Sequence, residues 1–277
     1  MNVEKLCLQE AGHLVMRSPK YWQLVFKVYL STLKNALSAK VFRASYFFCR
    51  HIDDVLDGDR AVTSDPKDYA ESILTSMQEE GGGPEVVELY RFAISHLVDM
   101  AKEGEDPTQH FSRVIKNAML FDYERAQNRH VLTAEELEQY YSDTFAPVMD
   151  LALMIAGSSQ RSTDLPESVV TQGHIYTIRD LKADLSQGII NIPAEELARS
   201  TIAVDRPFGK QDVVRDPHLA KWITNEVSAH HKNLDLWKSR LVDEGAKTVC
   251  LPLIWQMDIF CRLHKLGLHG PLKFYFI

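Results

Sequence analysis

The chain has 277 residues, of which 45% are hydrophobic and 25% charged, a composition typical of a globular protein with its own core. The formal net charge of −7 argues against a nucleic-acid-binding function, because binding to phosphates by charge neutralisation calls for a basic surface. The cysteines lack the spacing of a zinc site, so we expect reduced core residues and a cytoplasmic location. The first residues lack the layout of a signal peptide, and no apolar run of about 18 residues predicts a membrane-spanning helix.

Helical periodicity extends over almost the whole chain. It predicts an all-α fold in a single domain, residues 1–277, of roughly ten helices around a buried central bundle. Apolar stripes with helical spacing occur at 21–29 and 86–93, and strand-like alternation is scarce. Segments rich in Gly, Pro, Asp and Ser predict turns between the helices, at 57–59, 64–66, 80–84, 104–107 and 157–159. Residues 199–217 are the least helical and are expected to form a surface loop.

Two helices have predictable boundaries. Thr133 and Glu136 have the spacing of a capping box and predict a helix that runs to about residue 156. A second helix is predicted from Pro166 to Gln187, with Gly188 as its C-cap.

Two pairs of aspartates are the candidate functional residues, Asp53 with Asp57 and Asp180 with Asp184. Residues four apart share one face of a helix, so each pair directs two carboxylates toward one point, where they repel each other unless a cation lies between them. Mg²⁺ prefers such oxygen ligands together with substrate phosphates. Apolar segments at 44–49 and 189–193 flank the pairs, and carboxylates beside buried segments are costly unless paired or liganded. The alternative is solvated surface charge.

The segments around both pairs resemble the squalene and phytoene synthase family of isoprenoid enzymes. Residues 40–57 are similar to that family's first aspartate-rich segment, including the arginine ahead of it. Residues 178–193 are similar to its second, including the downstream Gly188 and Pro193, and residues 128–146 are similar to its middle helix. The matches are colinear between residues 18 and 193. A lone aspartate motif is a weak signal, whereas three ordered segments are a strong one.

This resemblance implies an isoprenoid-synthase-type helical bundle around a central cavity, and a Mg²⁺-dependent reaction of allylic prenyl diphosphates. The metal ligands implied are Asp53, Asp57, Asp180 and Asp184. The implied phosphate contacts are Arg50, Arg179 and Lys182, for which ordinary ion pairs with nearby aspartates are the alternative. The segment that helps to hold a diphosphate corresponds to Ser18, Lys20 and Tyr21.

Aromatic rings are expected to line the cavity, since their faces stabilise carbocations. The candidates are Tyr21, Phe47, Tyr141, Phe145 and Tyr176. Core packing is the alternative for each of them. Tyr141 is the strongest candidate, and is assigned a catalytic role, because it matches a tyrosine of the family's middle helix.

The chain departs from the family pattern near the expected cavity. Lys20 replaces a serine, Pro147 and Asp150 replace glycines in the middle helix, and Gly173 and Tyr176 replace a glutamine and an asparagine ahead of Asp180. With Met149, these changes are expected to reshape one half of the cavity. They favour a single-substrate enzyme that ionises farnesyl or geranylgeranyl diphosphate and then cyclises the cation or quenches it with water. Terpene synthases built on this scaffold are the nearest analogue.

Three alternatives stay open. The first is head-to-head condensation of two prenyl diphosphates. The second is a di-iron bundle, which needs Glu-x-x-His on two helices and has one clear instance, Glu10 to His13. The third is a non-catalytic lipid-binding or scaffold protein. The role of Asp150, the substrate's chain length, the product and the oligomeric state are also open. The expected partner is a prenyl diphosphate, with no nucleic acid and at most peripheral membrane contact through the apolar residues 273–277.

Overall fold

The computed structural model describes residues 2–17, 21–30, 36–79 and 81–267, and it confirms the all-α prediction. The chain is 76% helical, without strands in its described part, where an isolated bridge joins Val131 to Ile190. The α-helices of this part are α1 (Val3–Arg17), α2 (Trp22–Leu30), α3 (Ala36–Leu56), α4 (Pro66–Ser76), α5 (Val87–Leu97), α6 (Pro107–Arg113), α7 (Phe121–Asn128), α8 (Ala134–Ile155), α9 (Pro166–Gln187), α10 (Ala194–Ala198), α11 (Lys210–Arg215), α12 (Pro217–Ser239) and α13 (Glu244–Lys265).

The two helices with predicted boundaries form as expected. Thr133 caps α8 by accepting a hydrogen bond from the Glu136 backbone N–H (3.2 Å), and the Glu136 carboxylate accepts one from the Thr133 N–H (2.8 Å). α9 ends at Gly188, whose φ of 89° lies in the left-handed region that glycine adopts without strain.

An Asp-Pro pair begins each of three helices. Asp65, Asp106 and Asp216 each accept a hydrogen bond from a backbone N–H in the first turn of α4, α6 and α12. The proline that follows occupies a position where no backbone donor is needed. The turns predicted at 64–66 and 104–107 are therefore the starts of helices.

Two predictions about the elements need correction. Residues 199–217 are not a continuous loop, because α11 forms within them. The described part also contains more helices than the ten expected, since several are short segments of five to eight residues whose periodicity is too brief to detect.

The core has two large parts that share α8. The first lies among α1, α3, α5 and α6, where the Phe48 ring packs 5.4 Å from Tyr90 and 5.7 Å from Phe111. The second lies among α8, α9, α12 and α13 around the fully buried Trp237. α8 contributes Met154 to the first part and Leu153 to the second. One helix thus connects the half of the chain that carries Asp53 to the half that carries Asp180.

The cysteines are free, as expected, and burial raises the pKa of each thiol to about 12. Their positions are Cys7, Cys49, Cys250 and Cys261. Within the described residues, no helix is both long enough and apolar enough to cross a membrane.

Candidate active site

The first aspartate pair lies at the C-terminal end of α3. Asp53 is in the last turn, and Asp57 follows the helix but still donates its backbone N–H to the Asp53 carbonyl oxygen at 2.9 Å. The four-residue relationship is therefore retained. Arg50, one turn earlier, donates to Asp53 at 2.6 Å and contacts Asp54 at 2.5 Å.

Arg17, at the end of α1, forms ion pairs with two aspartates that neighbour the first pair in the sequence. Its guanidinium lies 2.7 Å from a carboxylate oxygen of Asp54 and 2.7 Å from one of Asp59. It also covers the ring of Tyr21, 4.5 Å from the centroid. The Arg50 guanidinium is 5.6 Å from the same centroid, so the predicted residue Tyr21 lies between two cations beside the first pair.

The second pair lies in the last two turns of α9. Arg179 donates to both carboxylate oxygens of Asp180, at 2.9 and 2.5 Å. Asp184 accepts a hydrogen bond of 3.0 Å from the Asn191 amide. The Arg179 guanidinium lies 4.2 Å from the centroid of the Tyr176 ring, and that ring is 5.8 Å from Phe145. Tyr176 therefore lies beside the Arg179–Asp180 pair with Phe145 packed against it, and the cavity-lining role of both rings stays a prediction.

Asp122 on α7 connects the two pairs electrostatically. Burial raises the pKa of Asp122 to about 6. Hydrogen bonds from Tyr140 and Arg125 act against this shift, while the negative charge of Asp53 adds to it. Burial and repulsion from Asp180 raise the pKa of Asp184 to about 7, and the charge of Asp122 contributes further. Asp122 thus lies within electrostatic range of Asp53 from the first pair and Asp184 from the second.

A chain of hydrogen bonds follows the same path. Arg125, 2% exposed, contacts Asp122 at 3.2 Å and donates to the Asn191 side-chain oxygen at 3.0 Å. The Asn191 amide then donates to Asp184. A π-helical segment, Val114–Leu120, leads directly into α7 and so sets the position of Asp122; such segments often occur at functional sites.

The first pair also consists of mutually repelling carboxylates. Burial raises the pKa of Asp53, against the opposing effect of Arg50. Desolvation by the surrounding protein atoms, and then repulsion from Asp53, raise the pKa of Asp57 although its side chain is accessible to solvent. The Asp53 side chain remains 34% exposed and Asp57 is exposed, so both lie in a crowded site that solvent can enter. Carboxylate oxygens that repel each other fit a hard divalent cation.

Tyr141, the tyrosine with a predicted catalytic role, is a core residue at the contact between α8 and α9. Its ring is buried between α8 and α9, its hydroxyl is 3.2 Å from the Thr177 hydroxyl, and its edge meets His174 with the centroids 5.0 Å apart. A Cβ added to Gly173 would lie 2.2 Å from the ring, so the small residue makes room for the tyrosine. These contacts favour a packing role, and the catalytic role stays a prediction.

Other predicted residues differ in how well their positions suit a substrate contact. Phe47 is fully buried beside Tyr46, as expected of core packing. Lys182 is exposed, and its two-residue offset from Asp180 and Asp184 turns it away from their face, which disfavours a phosphate contact. Ser18 and Lys20 lie outside the described residues.

Two open questions from the sequence are answered by hydrogen bonds. Asp150 accepts from the Ser162 backbone N–H (2.6 Å) and hydroxyl (3.0 Å), so it joins α8 to the turn before α9. Glu10 contacts Arg60 at 2.7 Å and His51 at 3.2 Å, an arrangement of ion pairs that gives no support to a di-iron centre.

Sequence reasoning missed four residues of this site: Arg17, Asp122, Arg125 and Asn191. Asp122 and Arg125 have only the spacing of an ordinary helical ion pair, and nothing in that spacing relates them to the distant aspartates. Asn191 did give a signal, since it is a polar residue within the apolar run 189–193.

The comparisons with known proteins agree with the resemblance. The family model described as squalene/phytoene synthase matches residues 27–251, which is well over half of the chain. No curated protein and no solved structure matched. Members of the matched family are prenyltransferase-type enzymes that act on prenyl diphosphates. The chain belongs to the squalene/phytoene synthase family.

Proposed function

Taking this family membership as the premise, we propose that the protein catalyses the Mg²⁺-dependent ionisation of an allylic prenyl diphosphate and releases diphosphate. One observation carries the proposal: Asp122, which lies within electrostatic range of Asp53, is joined to Asp184 by hydrogen bonds through Arg125 and Asn191. It supports a site in which two acidic pairs, from different halves of the chain, act on the same headgroup.

The donor set suits magnesium. Asp53, Asp57, Asp180 and Asp184 offer carboxylate oxygens, which are the ligands that Mg²⁺ prefers. When bound, Mg²⁺ would supply Lewis-acid neutralisation of the negative charge that develops on the departing diphosphate.

Arg50 and Arg179 are the basic residues that we assign to the diphosphate. Their side chains are 20% and 27% exposed, and each contacts an aspartate of the proposed metal site. Two oxygens of a tetrahedral phosphate group can accept a bidentate contact from a guanidinium, as the two oxygens of a carboxylate do. Each arginine would therefore exchange its aspartate partner for the leaving group and stabilise the charge on it.

Phe145 and Tyr176 support the use of one substrate. The resemblance to the family implies a smaller asparagine at the position of Tyr176. The two rings pack against each other, and that of Tyr176 lies beside the Arg179 guanidinium, one turn ahead of Asp180. They take up space next to the headgroup and offer aromatic faces to a carbocation. The cation would then cyclise or be quenched by water. Met149 is buried in the core, and Asp150 is hydrogen-bonded to Ser162. Tyr176 is therefore the departure from the family pattern that bears most on whether the enzyme uses one substrate or two.

Product analysis tests the proposal. The protein is incubated separately with geranyl, farnesyl and geranylgeranyl diphosphate, with Mg²⁺ or with excess EDTA, and products are identified by gas chromatography and mass spectrometry. We expect diphosphate release only with Mg²⁺, and a product with the carbon number of one substrate. A product with twice the carbons would replace the single-substrate proposal by head-to-head condensation. Equal release in EDTA would contradict the metal mechanism.

Substitution of Asp180 tests whether the acidic pairs act in the reaction. We expect Asp180→Asn to lower kcat about 10- to 100-fold or more, the loss typical of altered metal environments, with little change in Tm because the side chain is 43% exposed. Asp235→Asn, an exposed change on α12, is the control for loss of charge. If the wild type showed no turnover, and Asp53→Ala and Asp57→Ala bound a prenyl ligand as tightly as it does, the site would be that of a binding protein.

A further inference from the structure

A second cluster of metal-type ligands lies between α9 and α12, away from the aspartate pairs. His174 is on α9, and Glu226 and His230 are four residues apart on one face of α12. Among the residues that the structure describes, their ligand atoms form a group in which every pair is within 4.8 Å. His174 Nδ1 is 2.8 Å from Glu226 Oε2, and His230 Nε2 is 3.3 Å from the same oxygen.

From this geometry we propose that His174, Glu226 and His230 bind a divalent transition-metal ion of the zinc type. A tetrahedral ion with bonds of about 2.0–2.1 Å holds its ligand atoms roughly 3.3 Å apart. The observed His230–Glu226 separation of 3.3 Å equals this value, and the His174–Glu226 separation of 2.8 Å is shorter. Two imidazoles with one carboxylate make a donor set suited to Zn²⁺ and its neighbours, whereas Mg²⁺ prefers oxygen ligands alone. The site would therefore select a different metal from the aspartate pairs.

The surroundings of the two histidines fit metal ligation. His174 Nε2, the nitrogen that faces away from the cluster, is 2.7 Å from a carboxylate oxygen of Glu138. Metal-bound histidines usually donate their second N–H to a carboxylate in this way, which fixes the tautomer and orients the ring. His230 Nδ1 is 3.4 Å from the side-chain amide of Asn233, and rotation of that amide would give it an acceptor oxygen.

The packing leaves access to the cluster from one side. The His174 and His230 rings stack with centroids 4.0 Å apart and an angle of 16°, so one ring must rotate for the in-plane lone pairs of both to meet at one ion, and the edge of Tyr141 supports His174. The histidine side chains are 15% and 10% exposed and that of Glu226 is 23% exposed. All three border a cavity of about 450 Å³ that Trp222 and Glu196 also line. Three protein ligands beside an open cavity leave the fourth position for water or a small ligand.

A metal-free explanation exists for the same distances. A doubly protonated His174 would donate one N–H to Glu138 and the other to Glu226, and the cluster would then be a charged hydrogen-bond network. The two explanations differ in what happens when zinc is added. Binding would displace the proton on His174 Nδ1 to solvent, and it would join α9 to α12 through the ion.

Zinc titration of the full-length protein, after removal of metals by a chelator, distinguishes the zinc site from the metal-free hydrogen-bond network. Saturating Mg²⁺ is kept present so that oxygen-ligand sites are occupied. We expect one equivalent of Zn²⁺ to bind, a rise in Tm on binding, and, with Co²⁺, the visible absorption of a tetrahedral ion. Wild-type protein that takes up no zinc equivalent at micromolar concentrations would overturn the proposal, whatever the variants do.

The variants locate the site. Glu226→Gln and His230→Gln should abolish the zinc-dependent rise in Tm. Glu138→Gln should weaken zinc binding about 10- to 100-fold, as expected when a carboxylate that orients a metal-bound histidine is lost. His231→Gln, the next residue on α12, contacts Asp258 instead and should bind zinc as the wild type does. Circular dichroism without metal checks that each variant is folded. Unchanged zinc affinity in folded Glu226→Gln and His230→Gln would place the ion elsewhere and refute the assignment.

Discussion

At the scale of single residues, Asp122 has the most consequential position. It accepts a hydrogen bond from the Tyr140 hydroxyl at 2.6 Å and contacts Arg125 at 3.2 Å, so its carboxylate is fixed on two sides. Its charge reaches both Asp53 and Asp184. A negative charge held between two acidic pairs increases their mutual repulsion, and so favours the binding of cations there.

Asp122→Asn removes this charge while keeping an oxygen that can accept from Tyr140. We expect weaker binding of Mg²⁺, seen as a higher metal concentration for half-maximal rate, and a kcat lower by about 10- to 100-fold as for lost support of a metal site. Initial rates of diphosphate release over a range of Mg²⁺ concentrations measure both. Asp143→Asn is the matched control, because Asp143 also accepts from an arginine, Arg113, at 2.9 Å, whereas the Arg125 partner of Asp122 leads on to Asn191 and Asp184. Equal losses in both variants would contradict the role of Asp122.

Gly173 gives a test of packing at the scale of one methyl group. A Cβ at this position would meet Tyr141 Cγ at 2.2 Å and Tyr141 Cβ at 2.6 Å, so Gly173→Ala forces α8 and α9 apart or the ring out of place. We expect it to destabilise the protein by about 1–3 kcal/mol, as overpacking does, and urea unfolding would measure this loss.

The control for Gly173 is another helical glycine. A Cβ at Gly12 on α1 would have no atom within 4 Å, and replacing an exposed helical glycine by alanine stabilises by roughly 0.5–1 kcal/mol. Gly12→Ala and Gly173→Ala should therefore change the free energy of unfolding in opposite directions. A change of the same sign in both would show that the Tyr141 contact is not tight.

At the scale of helices, Asp243 joins the start of α13 to the turn after α8. Its carboxylate accepts hydrogen bonds from the Ala246 backbone N–H at 2.7 Å, from the Ser158 hydroxyl at 3.0 Å, and from both the backbone N–H and the hydroxyl of Ser159 at 2.8 Å. One side chain thus caps a helix and holds a loop. Asp65, which is exposed, caps α4 by accepting a hydrogen bond from the Lys67 N–H, and we compare it with Asp243 as a residue that serves as a helix cap alone.

Asp243→Ala should cost about 1–2 kcal/mol of stability, at the upper end of the range for lost N-caps, because the loop contacts disappear with the cap. Asp65→Ala should cost about 0.5–1 kcal/mol, at the lower end of that range. Denaturant unfolding of the two variants at neutral pH compares them directly, and a larger loss from Asp65→Ala would contradict the double role of Asp243.

The contribution of Asp243 also depends on pH. Burial alone would raise the pKa of this carboxyl, but the hydrogen bonds from Ala246, Ser159 and Ser158 outweigh it and lower the pKa from 3.8 to about 2. A group with a lowered folded-state pKa stabilises the protein fully above its unfolded pKa and loses that effect as the pH falls. The wild type should therefore lose its advantage over Asp243→Asn between about pH 4 and pH 2, as measured by Tm in that range.

The helices show which features a sequence reveals. The capping box of Thr133 and Glu136 and the C-cap at Gly188 depend on residues three or four apart, so α8 and α9 were predictable almost to the residue. The aspartate pairs were found for the same reason. The electrostatic interactions of Asp122 with Asp53 and Asp184, and the contact of His174 with Glu226, join residues more than 50 positions apart, and no local spacing encodes them. α11 was missed because six residues contain too few turns for a periodic pattern.

At the scale of the whole molecule, the two acidic pairs belong to different parts of the core. Asp57 follows α3, which packs in the first part, and Asp184 is on α9, which packs in the second. α8 contributes to both. A ligand bound by both pairs would therefore stabilise the molecule as a unit, since it contacts residues from each part.

This arrangement predicts how stability responds to Mg²⁺ with inorganic pyrophosphate, which stands in for the substrate headgroup. At 100 times Kd the ligands should stabilise the wild type by about 2.7 kcal/mol, which raises Tm by several degrees. Asp57→Asn and Asp184→Asn should each remove most of this rise, and the double variant should lose little more, because one bound headgroup needs both pairs. Asp68→Asn, an exposed change on α4, should keep the full rise. If the losses in the two single variants were each partial and simply added, the pairs would bind independently, and a shared site would be wrong.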